Sequence, residues 1–222
     1  MVKLSKDVYK KAALGTFVAI LAIIAIIWFI DDARQRSVNS RIEDLTTQSE
    51  ATRLFFLYGQ YVADANPQKV CNYIDFATRQ QMDKGYYLVR QLKDFESANL
   101  LSDYQRTRDN YYLSNIELWI YTLQQKKMCN ATDIVPIVYF TNVNSPCAEC
   151  SVQGDVLDQV RNKCSNARVI TVASDIGLDI VELMKSQYNV TSSPTILIGE
   201  DTKLEGLHSV DDIVSRFDCK SS

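Results

Sequence analysis

The stretch Ile134-Val135-Pro136-Ile137-Val138-Tyr139-Phe140-Thr141-Asn142-Val143-Asn144-Ser145-Pro146-Cys147-Ala148-Glu149-Cys150 decides how this 222-residue chain is read. Its first seven residues are apolar and rich in β-branched types, the composition and length of a strand. A short polar loop then delivers Cys147 and Cys150 to a segment with Val152, Val156, Leu157 and Val160 at helical spacing. At a helix start the first sulfur lies among unpaired backbone N–H groups, where the positive end of the dipole favours thiolate over thiol. On these residues alone the pair fits dithiol chemistry, a structural bridge or a zinc site.

Outward toward the C-terminus, Arg168–Ala173 reads as a second strand and Leu178–Lys185 as a helix. Val190–Ile198 is a third strand entered through Pro194, Lys203–Gly206 a short edge strand, and Val210–Phe217 a closing helix. The order β–α–β–α–β–β–α makes an α/β layer structure. With Cys147-x-x-Cys150 after the first strand, Ser193-Pro194-Thr195 opening the third and 43 residues between Cys150 and Pro194, residues 134–219 resemble the thioredoxin superfamily.

That resemblance implies thiol–disulfide exchange. Cys147 would attack or be attacked, Cys150 would resolve the mixed disulfide, and a cis Pro194 would face the pair. The backbone beside Ser193 and Pro194 would hold an extended substrate segment. It also implies that the helices ending at Cys164 and Cys219 share a sheet face and a direction, which makes a Cys164–Cys219 bridge the expected pairing. No cofactor is implied.

Departures from the family fall on the residues that tune the pair. Thioredoxin carries Trp before the first cysteine and Gly-Pro between the two, whereas this chain has Pro146 and Ala148-Glu149. Thioredoxin also keeps a buried aspartate on the incoming strand, and Tyr139, Phe140 and Thr141 occupy that neighbourhood here. A carboxylate at Glu149 either opposes the thiolate and weakens the pair as an oxidant, or complements the helix N-terminus and points to water. A zinc site would need Cys164, Cys219 or His208 as further ligands. Cys164 lies 14 residues beyond Cys150, about 21 Å along a continuous helix, so no metal is expected.

Outward toward the N-terminus, residues 38–129 hold a single proline and apolar residues at three- and four-residue spacing. One helix runs from Val38 through Leu54–Tyr58 toward Asn66, and a second starts at Pro67. The second breaks near Glu96–Asn99, and a third runs from Leu101 to Leu123. Short links between long helices predict an antiparallel three-helix bundle over 31–130. Nine of the twelve tyrosines fall there, serving as core and rim or lining a groove for a partner. Cys71 opens the second helix and Cys129 closes the third. In an antiparallel hairpin those ends are neighbours, so a Cys71–Cys129 disulfide is expected, the alternative being two buried thiols.

Ala12–Ile30 carries no charge over 19 residues, long enough to span about 28 Å as a helix. Asp31-Asp32-Ala33-Arg34 offers no small-residue cleavage site, so the stretch reads as a membrane anchor rather than a signal peptide. Lys3, Lys6, Lys10 and Lys11 precede it; Arg34, Arg36 and Arg41 follow. That margin favours a cytoplasmic tail at 1–11 and an extracytoplasmic remainder. Six cysteines agree with an oxidising compartment.

Residues 131–222, the α/β domain, carry 7 basic against 13 acidic residues, which excludes a clustered basic face for nucleic acid. The expectation is a membrane-anchored thiol–disulfide oxidoreductase whose partners are exported protein thiols or disulfides and a separate redox protein. The alternative is a non-catalytic anchored adaptor with a disulfide-locked fold.

Overall fold

The computed structural model describes residues 16–17, 28, 50–62, 66–131 and 133–221. Tail residues 1–11 lie outside these, as does the expected span over 12–30 except for Thr16, Phe17 and Trp28. Among the described residues no helix is long and apolar enough to cross a membrane. Of the first expected bundle helix, residues 50–62 are described and helical. The chain divides into two compact units, Met1–Gln60 and Tyr61–Ser222. The sheet and all six cysteines belong to the second.

That unit opens with a helical hairpin, α1 (Pro67–Ser97) and α2 (Leu101–Met128). Asn66 caps α1 by accepting from the Gln68 N–H at 2.8 Å, and Pro67 takes the first helical position, where a missing N–H costs nothing. The turn closes α1 with Asn99 at φ 54, while the Leu100 N–H bonds back to the Phe95 carbonyl at 3.0 Å. At the open end a disulfide joins Cys71 to Cys129 across a sequence separation of 58. Ser114 donates to Gln81 at 3.0 Å across the hairpin, and the Tyr73 and Tyr121 side chains are hydrogen-bonded there.

The α/β region adds β1 (Val135–Thr141), α3 (Ala148–Lys163), β2 (Ala167–Ala173), α4 (Asp179–Gln187), β3 (Thr195–Ile198), β4 (Thr202–Glu205) and α5 (Val210–Val214). The sheet order is β2-β1-β3-β4, with β1 parallel to β2 and antiparallel to β3. β1 is interior and apolar on both faces, which is why 135–140 reads as a continuous apolar run rather than an alternating one. The third strand is shorter than the sequence suggests. Residues 191–194 form the loop of the cis Ser193-Pro194 bond, and pairing starts at Thr195.

Helices cover both faces. Ile137, Tyr139, Ile196 and Leu204 point toward α3 and α5, meeting Leu157, Val160 and Ile213. On the other face Val138, Phe140, Ile170 and Val172 meet Val181 and Met184 of α4 and also Ile116 and Trp119 of α2. The hairpin is therefore part of the layer structure, with α2 laid on the sheet. Trp119 stands edge-on to Tyr188, ring centroids 5.7 Å apart. The Asn115 side chain donates to the Thr171 carbonyl at 2.8 Å, meeting part of the hydrogen-bonding capacity of the β2 edge. Tyr86 on α1 and Ile120 on α2 are exposed.

Candidate functional site

Three segments meet at one end of the sheet because of strand direction. β1 runs to Thr141, which lies opposite Ala173 at the end of β2. β3 runs the other way and begins with Thr195 opposite Phe140. The loop to Cys147, the turn at Ser174-Asp175 and the Ser193-Pro194 loop are thereby neighbours.

Cys147 and Cys150 form a disulfide with Cα atoms 5.2 Å apart. Cys147 is the N-cap of α3, half-buried, and its Sγ accepts from the Cys150 N–H at 3.2 Å. Cys150, one turn in, is buried at 5 % exposure. The first sulfur is thus the one an incoming group can reach, and the helix amides face it. Glu149 is exposed in the first turn. Pro146 and Ala148, the motif's other neighbours, are exposed as well.

The Ser193 carbonyl lies 3.8 Å from Cys147 Sγ. Pro194 is buried behind it, and its own carbonyl accepts from the Gly206 N–H at 2.8 Å. A shallow cavity of about 210 Å³ beside this loop is lined by Asn142, Ser174, Lys185, Thr191, Ser192 and Ser193. Thr191 and Ser192 are exposed, so the edge next to Cys147 is open.

Beneath the pair, the Tyr139 hydroxyl donates to the Cys150 carbonyl at 2.5 Å and is hydrogen-bonded with Thr141. Burial pushes the Tyr139 hydroxyl up from its usual range, so it stays neutral and acts as a donor. Gln153 is fully buried one turn beyond Cys150 and accepts from the His208 N–H at 2.7 Å. His208 itself is half-buried against Asp212.

Sequence reasoning missed Asp175. Its carboxylate accepts from the Val143, Asn144 and Ser145 N–H groups at 2.9, 2.8 and 2.7 Å, holding the loop that leads into Pro146-Cys147. Burial alone would raise its pKa. The backbone donors together outweigh that and hold it below the usual carboxylate range. An aspartate two residues past the end of a strand was the available signal, but it looks like an ordinary turn former.

The remaining cysteines lie away from this end. Cys164 is bonded to Cys219 and Cys71 to Cys129, leaving no cysteine free. The larger cavity of about 560 Å³, lined by residues such as Ile198, Glu200 and Phe217, is at the opposite end of the sheet.

No family model matches this chain. No curated protein matches it either. Part of the chain is structurally similar to thioredoxins. Chloroplastic thioredoxin z aligns over 42% of this chain and 83% of its own at 20% identity, with a TM-score of 0.32. Thioredoxin O2 from Arabidopsis thaliana, in its oxidized state, aligns over 42% and 81% with the same identity and score. The thioredoxin-like fold of residues 135–214 is set by this chain's own strand order, helix placement and cis Pro194.

Proposed function

We propose that the chain is a membrane-anchored thiol–disulfide oxidoreductase that works through Cys147 and Cys150 on exported proteins. The observation that carries this reading is the Cys147 sulfur at a helix N-terminus, 3.8 Å from the carbonyl that precedes cis Pro194. In the reducing direction the Cys147 thiolate attacks a substrate disulfide, forming a mixed disulfide and releasing one substrate thiolate. The Cys150 thiolate then attacks the Cys147 sulfur, releases the second substrate thiolate and closes Cys147–Cys150. Two electrons pass from the dithiol to the substrate, and the reverse sequence oxidises a substrate dithiol. The exposed Thr191-Ser192 edge leading into Ser193-Pro194 supports an extended substrate segment lying beside the pair.

Cys71–Cys129 and Cys164–Cys219 act as staples in this reading, leaving one dithiol to cycle. The uncharged stretch over 12–30 supports an anchor with the site outside the cytoplasm, where all three bridges can persist. A separate redox protein would recharge the pair.

Trapping tests the exchange. A full-length Cys150→Ser chain accumulates mixed disulfides through Cys147, and a Cys147→Ser chain does not. If neither variant traps a partner, the adaptor reading replaces this one. Placement has its own test, in which a membrane-impermeant maleimide labels Cys147 on intact cells after mild reduction. Labelling only after lysis overturns the extracytoplasmic site.

A further inference from the structure

A chain of contacts runs from the helical hairpin to the nucleophilic cysteine. The Arg108 guanidinium of α2 is largely buried, with its side chain 15% exposed, and pairs with Asp109 at 3.2 Å. Its Nη1 also donates to the Asn144 side-chain oxygen at 2.9 Å. Asn144 sits three residues before Cys147 and is held on three sides. Its N–H donates to the Asp175 carboxylate at 2.8 Å, its Nδ2 donates to the Asp175 carbonyl at 2.8 Å, and its Oδ1 accepts from Arg108.

The neighbouring Ser174 extends the linkage to the other wall of the site. Its N–H donates to the Thr141 carbonyl at 2.7 Å, and its hydroxyl is 3.0 Å from the Ser193 hydroxyl. Ser174-Asp175 therefore ties the loop before Cys147 to the loop of cis Pro194. Arg108 fastens this hub to the hairpin, which is itself anchored on the sheet through Ile116 and Trp119.

We infer that Asp175, Asn144 and Arg108 are positioning residues for the exchange reaction, through which the hairpin holds Cys147 in its N-cap position. Their role rests on Cys147 being the nucleophile of that exchange. Cys147 Sγ accepts from the Cys150 N–H only while the backbone of 143–146 enters α3 at the present angle. Backbone bonds to a carboxylate are charge-assisted and set that angle strongly. Asn144 converts it into an angle relative to α2. Releasing the clamp moves the sulfur off the helix amides that favour thiolate, and it blurs the distance between Cys147 and the Ser193 carbonyl.

The test uses the reduced full-length chain in mild detergent and follows Cys147 alkylation by iodoacetamide across pH, with exchange toward a disulfide-bonded peptide read in parallel. In Arg108→Gln and in Asn144→Ala, alkylation near neutral pH falls about threefold and its pH midpoint moves toward alkaline. Exchange with the peptide falls about tenfold because orientation is lost as well. Asp175→Asn does the same more strongly. The two losses are not additive: Arg108→Gln has no further effect in the Asn144→Ala background. A loss of overall stability alone would leave the alkylation midpoint where it is. Should Asp175→Asn fail to fold, the other two variants carry the test. Unchanged alkylation profiles in a reactive chain, or a full Arg108→Gln effect in the Asn144→Ala background, overturn the inference. A wild-type Cys147 that alkylates no faster than an unstructured thiol overturns the exchange reading instead.

Discussion

The Tyr139 hydroxyl donates to the backbone carbonyl of Cys150 at 2.5 Å, tying the middle of β1 to the helical turn that carries the second sulfur. Strand and helix are otherwise held by apolar contact between Ile137, Leu157 and Val160. This polar tie fixes the rotation of the first turn of α3, so Cys150, itself buried in the core beside Tyr139, is held within bonding reach of Cys147.

Tyr139→Phe keeps the ring and removes the donor. Losing one buried hydrogen bond costs about 1 kcal/mol, read as a lower urea midpoint. Since burial raises the Tyr139 pKa in the folded state, its contribution is present below the ordinary tyrosine range near pH 10 and is lost as pH rises through the raised folded value. The wild type therefore loses stability above about pH 10 more steeply than Tyr139→Phe. Equal slopes would contradict this.

Asp175 gives the opposite pH signature. Its folded-state pKa is depressed, so its stabilisation is present above its unfolded value, near pH 4, and disappears as pH falls through the folded value. The stability gap between wild type and Asp175→Asn should be constant from roughly pH 5 to 7 and narrow below about pH 4. A gap that persists undiminished in acid would show that the carboxylate charge is not what holds residues 143–145.

Trp119 tests whether the hairpin is structurally joined to the sheet. It is 5% exposed, packs with Val138 and Phe140, and meets Tyr188 edge-on. Trp119→Ala leaves a cavity between α2 and the sheet and costs about 3–5 kcal/mol. It should lower stability in one cooperative transition that includes the α/β region. A separate early melt of the hairpin, with the remaining transition unshifted, would contradict the joint layer structure.

Cys71 and Cys129 close a loop with a sequence separation of 58. Replacing both by serine removes about 4 kcal/mol in the chain-entropy model, measured by denaturant unfolding. The bond lies at the open end of the hairpin, whereas Arg108 reaches the site from the other part of α2. Exchange by Cys147 should therefore be retained in this variant while stability drops. Loss of exchange with intact folding would place the staple inside the redox machinery.

The parts of this architecture legible in the sequence are those written in local chemistry. Asn66-Pro67 announces the start of α1, the break at Glu96–Asn99 announces its end, and the apolar run 134–140 announces an interior strand. The motif with Ser193-Pro194 carries the α/β order. Partner choice was not legible. Apolar spacing at Ile116 and Trp119 says that one face of α2 is buried, yet a sheet and a third helix satisfy that pattern equally. Asp175 and Arg108 have no period and no motif, because their roles depend on strand ends that approach only in the folded chain. Strand direction was hidden for the same reason: nothing in Thr195–Ile198 marks it as antiparallel to β1.

The most direct test of one reactive dithiol among three bridges is a redox titration of the full-length chain against glutathione or dithiothreitol buffers, with each cysteine pair resolved by alkylation and mass spectrometry. An exchange protein built this way opens and closes Cys147–Cys150 reversibly, with a midpoint between about −120 and −270 mV, the span of known exchange proteins. Cys71–Cys129 and Cys164–Cys219 should stay closed until below about −300 mV. If Cys147–Cys150 resists reduction as strongly as the other two, or opens only together with them, the pair is structural and the exchange function is contradicted.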